Sequence, residues 1–100
     1  MRTYRNLRVA ERINQELSLL FSRDFDFGGA MVTVIEVIVD EKLLRAVVKL
    51  GIIPEERGPQ VFFMIQKSQR DIQKKLTYLL HIRPMPHISF QIERVEEAAT

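Results

Sequence analysis

The sequence predicts an α+β domain, a two-layer sandwich in which long helices cover one face of a three-stranded sheet. Three observations carry this expectation. Residues 3–22 and 60–80 repeat apolar side chains at spacings of three and four, whereas three shorter stretches are β-branched or alternate apolar with polar residues. The order along the chain is helix, strand, strand, broken helix, strand. A three-stranded sheet cannot bury its apolar face alone, so the helices must form the second layer. One hundred residues suffice for one core rather than two, and an apolar fraction of 46% is ordinary for a globular chain.

In residues 3–22, Val9, Ile13, Leu17, Leu20 and Phe21 line one helical face. Arg5, Arg8 and Arg12 keep the same spacing on a face turned roughly 115° away, at about 100° per residue. Asp24-Phe25-Asp26-Phe27-Gly28-Gly29 then breaks the pattern and reads as a loop. Met31 to Val39 is rich in β-branched residues, with Glu36 its only charge, and predicts a strand that is apolar on one face and nearly so on the other. After the polar turn Asp40-Glu41-Lys42, the series Leu44, Ala46, Val48, Leu50 and Ile52 alternates with Arg45, Val47, Lys49 and Gly51, a second and half-buried strand. The short link makes the pair an antiparallel hairpin.

Pro54 through Pro59 reads as a loop into the second helical segment, and Pro59 suits a first helical turn. In residues 60–80, Val61, Phe62, Ile65, Ile72, Leu76, Leu79 and Leu80 share one side, with Lys67, Arg70 and Lys74 opposite. The apolar seam is interrupted between Ile65 and Ile72, where Ser68 and Gln69 hold the positions that should be buried. Such a break marks a kink or a junction of two helices; the alternative is a solvent-facing patch on a straight one. Arg83-Pro84-Met85-Pro86 is an extended connector, and Ile88, Phe90 and Ile92 alternate with His87, Ser89, Gln91 and Glu93 as a third strand. The domain therefore runs over residues 1–93, and residues 94–100 read as a flexible polar tail.

Composition excludes several classes of function. A chain without cysteine has no disulfide framework and no thiolate nucleophile or metal ligand, which suits a reducing cytoplasm. Met1 to Arg8 lacks the apolar stretch of a signal peptide, and no apolar run reaches the roughly 18 residues that span a membrane. No Ser/His/Asp arrangement can be assembled, so no catalytic residue is assigned and no enzyme is expected. His81 and His87 flank a proline turn without further ligands, and turn and strand surface is the expected role rather than metal binding. Asp24 and Asp26 suit helix-end and turn chemistry. Gly28-Gly29 precedes a strand instead of opening a helix, so it is no phosphate loop. No cofactor or small-molecule substrate is implied.

What remains is basic charge. The formal net charge is only +2, but residues 1–23 carry five arginines against Glu11 and Glu16, and residues 60–83 carry Lys67, Arg70, Lys74, Lys75 and Arg83 against Asp71. Residues 24–59 and 84–100 are net acidic. Basic helices beside a less basic sheet fit a polyanion footprint, although charge by itself fits a solvated helix surface equally well. Phe62, Phe63, Tyr78 and Phe90 mostly follow apolar patterns, with Phe62 and Phe90 assigned to the core. Recognition of RNA by shape and backbone is therefore expected over a base-by-base code.

The residues also resemble a known family. Arg5-x-x-Arg8-Val9-x-x-x-Ile13-x-x-Glu16-Leu17 is similar to the opening helix of ribosome-binding factor A. Val32-Thr33-Val34, Glu36-Val37 and Leu43-x-x-Ala46-x-Val48 resemble its first hairpin, and Arg83-x-x-Pro86-x-Ile88-x-Phe90 resembles the approach to its last strand. The resemblance implies a type II KH-like fold and a non-catalytic, monomeric assembly factor of the small ribosomal subunit and its immature rRNA. It also implies a helix–kink–helix centred on a Ser-Ala-x-Gly sequence in place of the Gly-x-x-Gly loop. Register places Lys67-Ser68-Gln69-Arg70-Asp71 at that point, without the glycine. Further departures are Asp26-Phe27-Gly28 where the family often has Asp-Pro-Arg, Lys42 at a usually acidic position, and a short acidic tail. The expected RNA-binding residues are Arg5, Arg8, Arg12, Lys67, Ser68, Gln69, Arg70, Lys74 and Lys75. Two other readings stay open: a protein-binding module using an exposed sheet edge, and an RNA binder unrelated to ribosomes.

Overall fold

A computed structural model describes residues 4–94 of the chain. Helix α1 spans Arg5–Asp24 and buries Val9, Ala10, Ile13, Leu17, Leu20 and Phe21, the apolar stripe that the spacing predicts. The first part of the loop after it is folded around aromatic rings. Phe25 and Phe27 stack with centroids 5.3 Å apart, and Phe21 meets Phe25 edge-on at 5.6 Å. The Asp26 carboxylate accepts the Gly28 N–H at 2.9 Å, an Asx turn. Gly28 then takes φ +64°, in the left-handed region that glycine enters at little cost. Arg57 fixes this turn from across the molecule, donating to Gly28 O at 3.0 Å and Phe27 O at 2.9 Å.

Strand β1 (Met31–Val39) pairs antiparallel with β2 (Arg45–Ile53), from Val39 opposite Ala46 to Met31 opposite Ile53. The register slips by one residue between Val34 and Glu36, so Ile35 is the extra residue of a β-bulge. Before the bulge Val32 and Val34 are the partly buried residues, and beyond it Val37 and Val39 take that side, while Ile35 stays exposed. The hairpin loop is closed by Asp40, whose carboxylate accepts the Leu44 N–H at 2.7 Å and the Arg45 N–H at 2.9 Å. These bonds, that from Arg45 first, hold the Asp40 carboxyl below its ordinary range.

After β2, a short 3-10 turn (Glu55–Arg57) occupies part of the stretch expected to be loop, and helix α2 begins at Gly58, with Pro59 in its first turn. Helix α2 ends at Lys67 and α3 runs from Gln69 to Leu80, so the second helical segment is two helices joined at Ser68. Strand β3 (His87–Ile92) lies parallel to β2, with His87 opposite Arg45 and Ile92 opposite Leu50, giving the sheet order β1-β2-β3.

All three helices pack on one face of the sheet. Ala46, Val48 and Leu50 from β2 and Ile88 from β3 are fully buried against Ile13, Leu17, Val61, Ile65 and Leu76. The opposite sheet face carries Thr33, Glu36, Ile38, Arg45, Ser89 and Gln91, all exposed. The fold class is thus the α+β two-layer arrangement that the sequence predicts, and it is compatible with a KH-like fold. One helix assignment differs: Leu79 is 43% exposed, because Leu76 and Leu80 already cover the sheet on that turn of α3. Of the expected tail, residues 95–100 lie outside the described residues.

Candidate nucleic-acid interface

The joint at Ser68 decides how the basic residues are displayed. Ser68 has φ −98° and ψ 9°, a backbone conformation open to any L-residue, so the break forms without a glycine. Its N–H donates to Ile65 O at 3.0 Å, closing α2, and its carbonyl accepts the Ile72 N–H at 2.9 Å, opening α3. The Ser68 side chain makes no capping bond to either helix.

Beyond the joint, α3 is locked to the start of β3 by two glutamines. Gln73 donates from Nε2 to Pro86 O at 3.0 Å and accepts the Ile88 N–H on Oε1 at 2.8 Å. Gln69 Nε2 donates to Ile88 O. The two amides thus occupy the backbone groups of Ile88 that point away from β2, as a neighbouring strand would. This latch covers part of the β3 edge and leaves β1 as the other sheet edge.

A groove of about 790 Å³ lies along this junction, lined by Gln66, Lys67, Gln69, Arg70, Gln73, Lys74 and His87. Lys67, Arg70, Lys74 and His87 are exposed there, and none of the lining residues is a carboxylate. Phe63, one helical turn before Lys67 and 63% exposed, places its ring under that lysine, with Nζ 5.5 Å from the centroid. A concave surface of cations, amide groups and a nearby aromatic ring can hold a phosphate backbone and stack an unpaired base.

The other expected site residues are elsewhere. Arg5, Arg8 and Arg12 line a separate cavity with His81 and Arg83, and the two cavities share no residue. Arg12 Nη2 donates to Leu80 O at 3.0 Å, satisfying a carbonyl at the end of α3, and Arg5 Nη2 donates to Arg83 O at 3.2 Å. Lys75 is turned toward α1, where its Nζ meets Asp24 Oδ2 at 3.0 Å. Gln69 lines the groove but already spends one of its two amide N–H donors on Ile88. His87 is the groove residue that sequence reasoning assigned only to strand surface, since its approach to α3 depends on how β3 enters the sheet. Of the aromatic residues, Phe90 is buried and Phe62 partly so, as expected, whereas Tyr78 is 75% exposed.

Among the described residues, no group of three or more His, Cys, Asp or Glu side chains could hold a metal ion. No described helix is long and apolar enough to cross a membrane.

Comparison with known proteins identifies the family. The family model described as ribosome-binding factor A matches residues 5–100, nearly the whole chain. The chain belongs to the ribosome-binding factor A family. A ribosome-binding factor A of Chloroherpeton thalassium is 31% identical over 99 residues, covering 95% of this chain and 79% of its own. That of Chlorobium phaeobacteroides is 30% identical over 99 residues, covering 95% and 84%. That of Akkermansia muciniphila is 29% identical over 86 residues, covering 86% and 69%. The ribosome-binding factor A match takes in all three helices and all three strands, including the joint at Ser68.

Proposed function

We propose that this chain is a ribosome assembly factor that binds the small ribosomal subunit and its immature rRNA during maturation, and that it catalyses no reaction. The observation that carries the proposal is the helix joint at Ser68, which opens a carboxylate-free groove displaying Lys67, Arg70, Lys74 and His87. Family membership supports the ribosome as the partner. In this reading a structured RNA lays its backbone along the groove, phosphates on the three cations, with Ser68 at the helix joint beside it and Phe63 available to an unpaired base. The amides of Gln69 and Gln73 hold the groove wall rigid. The factor acts as a cytoplasmic monomer, with residues 1–93 as the RNA-binding domain.

Replacing Lys67, Arg70 and Lys74 with glutamate should abolish co-sedimentation with small subunits and leave the circular dichroism unchanged. The three side chains are exposed and make no hydrogen bond or ion pair to described residues, so the fold does not depend on them. Undiminished co-sedimentation of the triple variant would show that the groove is not the binding site.

A further inference from the structure

The cavity at the opposite end of α3 is lined by four arginines and a histidine. It measures about 530 Å³, its floor is made by Val9 and Ile82, both buried, and its walls are Arg5, Arg8, Arg12, His81 and Arg83. Neither glutamate of α1, Glu11 or Glu16, lines it. Among the described residues, none of its four arginines forms a salt bridge. Arg5 and Arg12 each commit a donor to a backbone carbonyl, which fixes their guanidinium groups in place, while a guanidinium has five N–H donors in all. Arg8 and Arg83 have no side-chain bond to the described protein that would account for their position. Four guanidinium groups lining one hollow raise its positive potential, which an anion seated between them would lower.

His81 adds a second, independent observation. It ends α3 in the left-handed conformation, φ 54° and ψ 40°, with its N–H donating to Thr77 O at 3.4 Å. That is the position where helices favour glycine. Histidine at this position places an exposed imidazole at the cavity wall at a conformational cost that glycine would avoid.

The geometry points to a second phosphate-binding site, formed by Arg5, Arg8, Arg12, His81 and Arg83, which takes a bend of RNA backbone presenting adjacent phosphodiesters. Guanidinium forks match phosphate oxygens bidentately, and two phosphodiesters balance the charge of Arg8 and Arg83 while Arg5 and Arg12 frame the hollow. This rests on the RNA-binding reading above and extends it: the RNA is held at both ends of α3, at the Ser68 groove and at this cavity.

The test measures binding of a labelled single-stranded RNA of mixed sequence to the full chain across a range of salt. Arg8→Gln with Arg83→Gln removes two cations that the fold does not use. It should weaken binding roughly tenfold and reduce the slope of log affinity against log salt by about 1.4, at about 0.7 per phosphate contact. His81→Gly should weaken binding about two- to tenfold while the thermal midpoint holds or rises, because the strained backbone is relieved. Unchanged affinity and slope in the double arginine variant, with RNA binding still lost on replacing Lys67, Arg70 and Lys74, would overturn the second site and leave the groove standing. Absence of RNA binding by the wild-type chain would overturn both. Tight binding of inorganic phosphate or a mononucleotide, lost in the double arginine variant, would reassign the cavity to a free ligand and refute the backbone assignment.

Discussion

Replacing Gln73 with alanine should cost far more than its position on a helix surface suggests. The side chain joins α3 to β3 through two bonds, to Pro86 O at 3.0 Å and from the Ile88 N–H at 2.8 Å. Each contributes about 1 kcal/mol net, and a buried donor left without a partner costs roughly 1–3 kcal/mol. Ile88 is fully buried, so its N–H has little access to water once the glutamine is gone. These contributions overlap, because the unpaired N–H is part of what one lost bond represents, and the total comes to about 2–3 kcal/mol. For a domain of this size that lowers the thermal midpoint by roughly 8–24 °C. Urea unfolding followed by circular dichroism would report it as a lower midpoint with an unchanged slope. Since Gln69 holds the same residue, Gln69→Ala and Gln73→Ala should not be additive, with a coupling of at least about 0.5 kcal/mol. A loss below about 0.5 kcal/mol for Gln73→Ala would refute the latch, and with it the argument that the groove wall is rigid.

Two further expectations concern the turns. Gly28→Ala adds a Cβ in a left-handed conformation and sets it 3.1 Å from Arg57 Nη2, so the guanidinium must give by a few tenths of an ångström while the backbone bears the positive φ; a loss of about 1–2 kcal/mol in urea unfolding is expected. Asp40→Ala should weaken the hairpin in a pH-dependent manner. Because the folded carboxyl titrates below its ordinary value of 3.8, chiefly through the Arg45 N–H, its contribution is complete above that value and is lost as pH falls through the depressed one. The stability gap between wild type and variant should therefore be widest near neutrality and close in acid, and a gap that persists unchanged at low pH would disprove the charge-assisted loop closure.

Much of this architecture was legible in the residues because local pattern and tertiary demand agree. The β-branched run Met31 to Val39 is the strand β1, and the loss of apolar residues between Ile65 and Ile72 coincides with the joint at Ser68. That joint needed no glycine, since its backbone angles suit serine. Other features depend on what lies across the molecule. The bulge at Ile35 leaves no mark in a run of β-branched residues, and it determines which of them turn inward. Arg12 reads as a free cation until the end of α3 lies beside it, and Lys75 reads likewise until Asp24 is across from it. His87 joins the groove through the parallel pairing of β3 with β2, a contact set by topology rather than by any neighbour in sequence. The helical periodicity identified basic faces but could not divide them between the two ends of α3.

The central claim, that the Ser68 groove is the surface that meets the ribosome, is tested most directly by hydrogen exchange of the chain bound to small ribosomal subunits. Binding through the groove predicts new protection over residues 66–74 and at the start of β3 around His87, with the β1 edge exchanging as in the free protein. Protection confined to Met31–Val39, with residues 66–74 unchanged, would contradict it and identify the sheet edge as the docking surface.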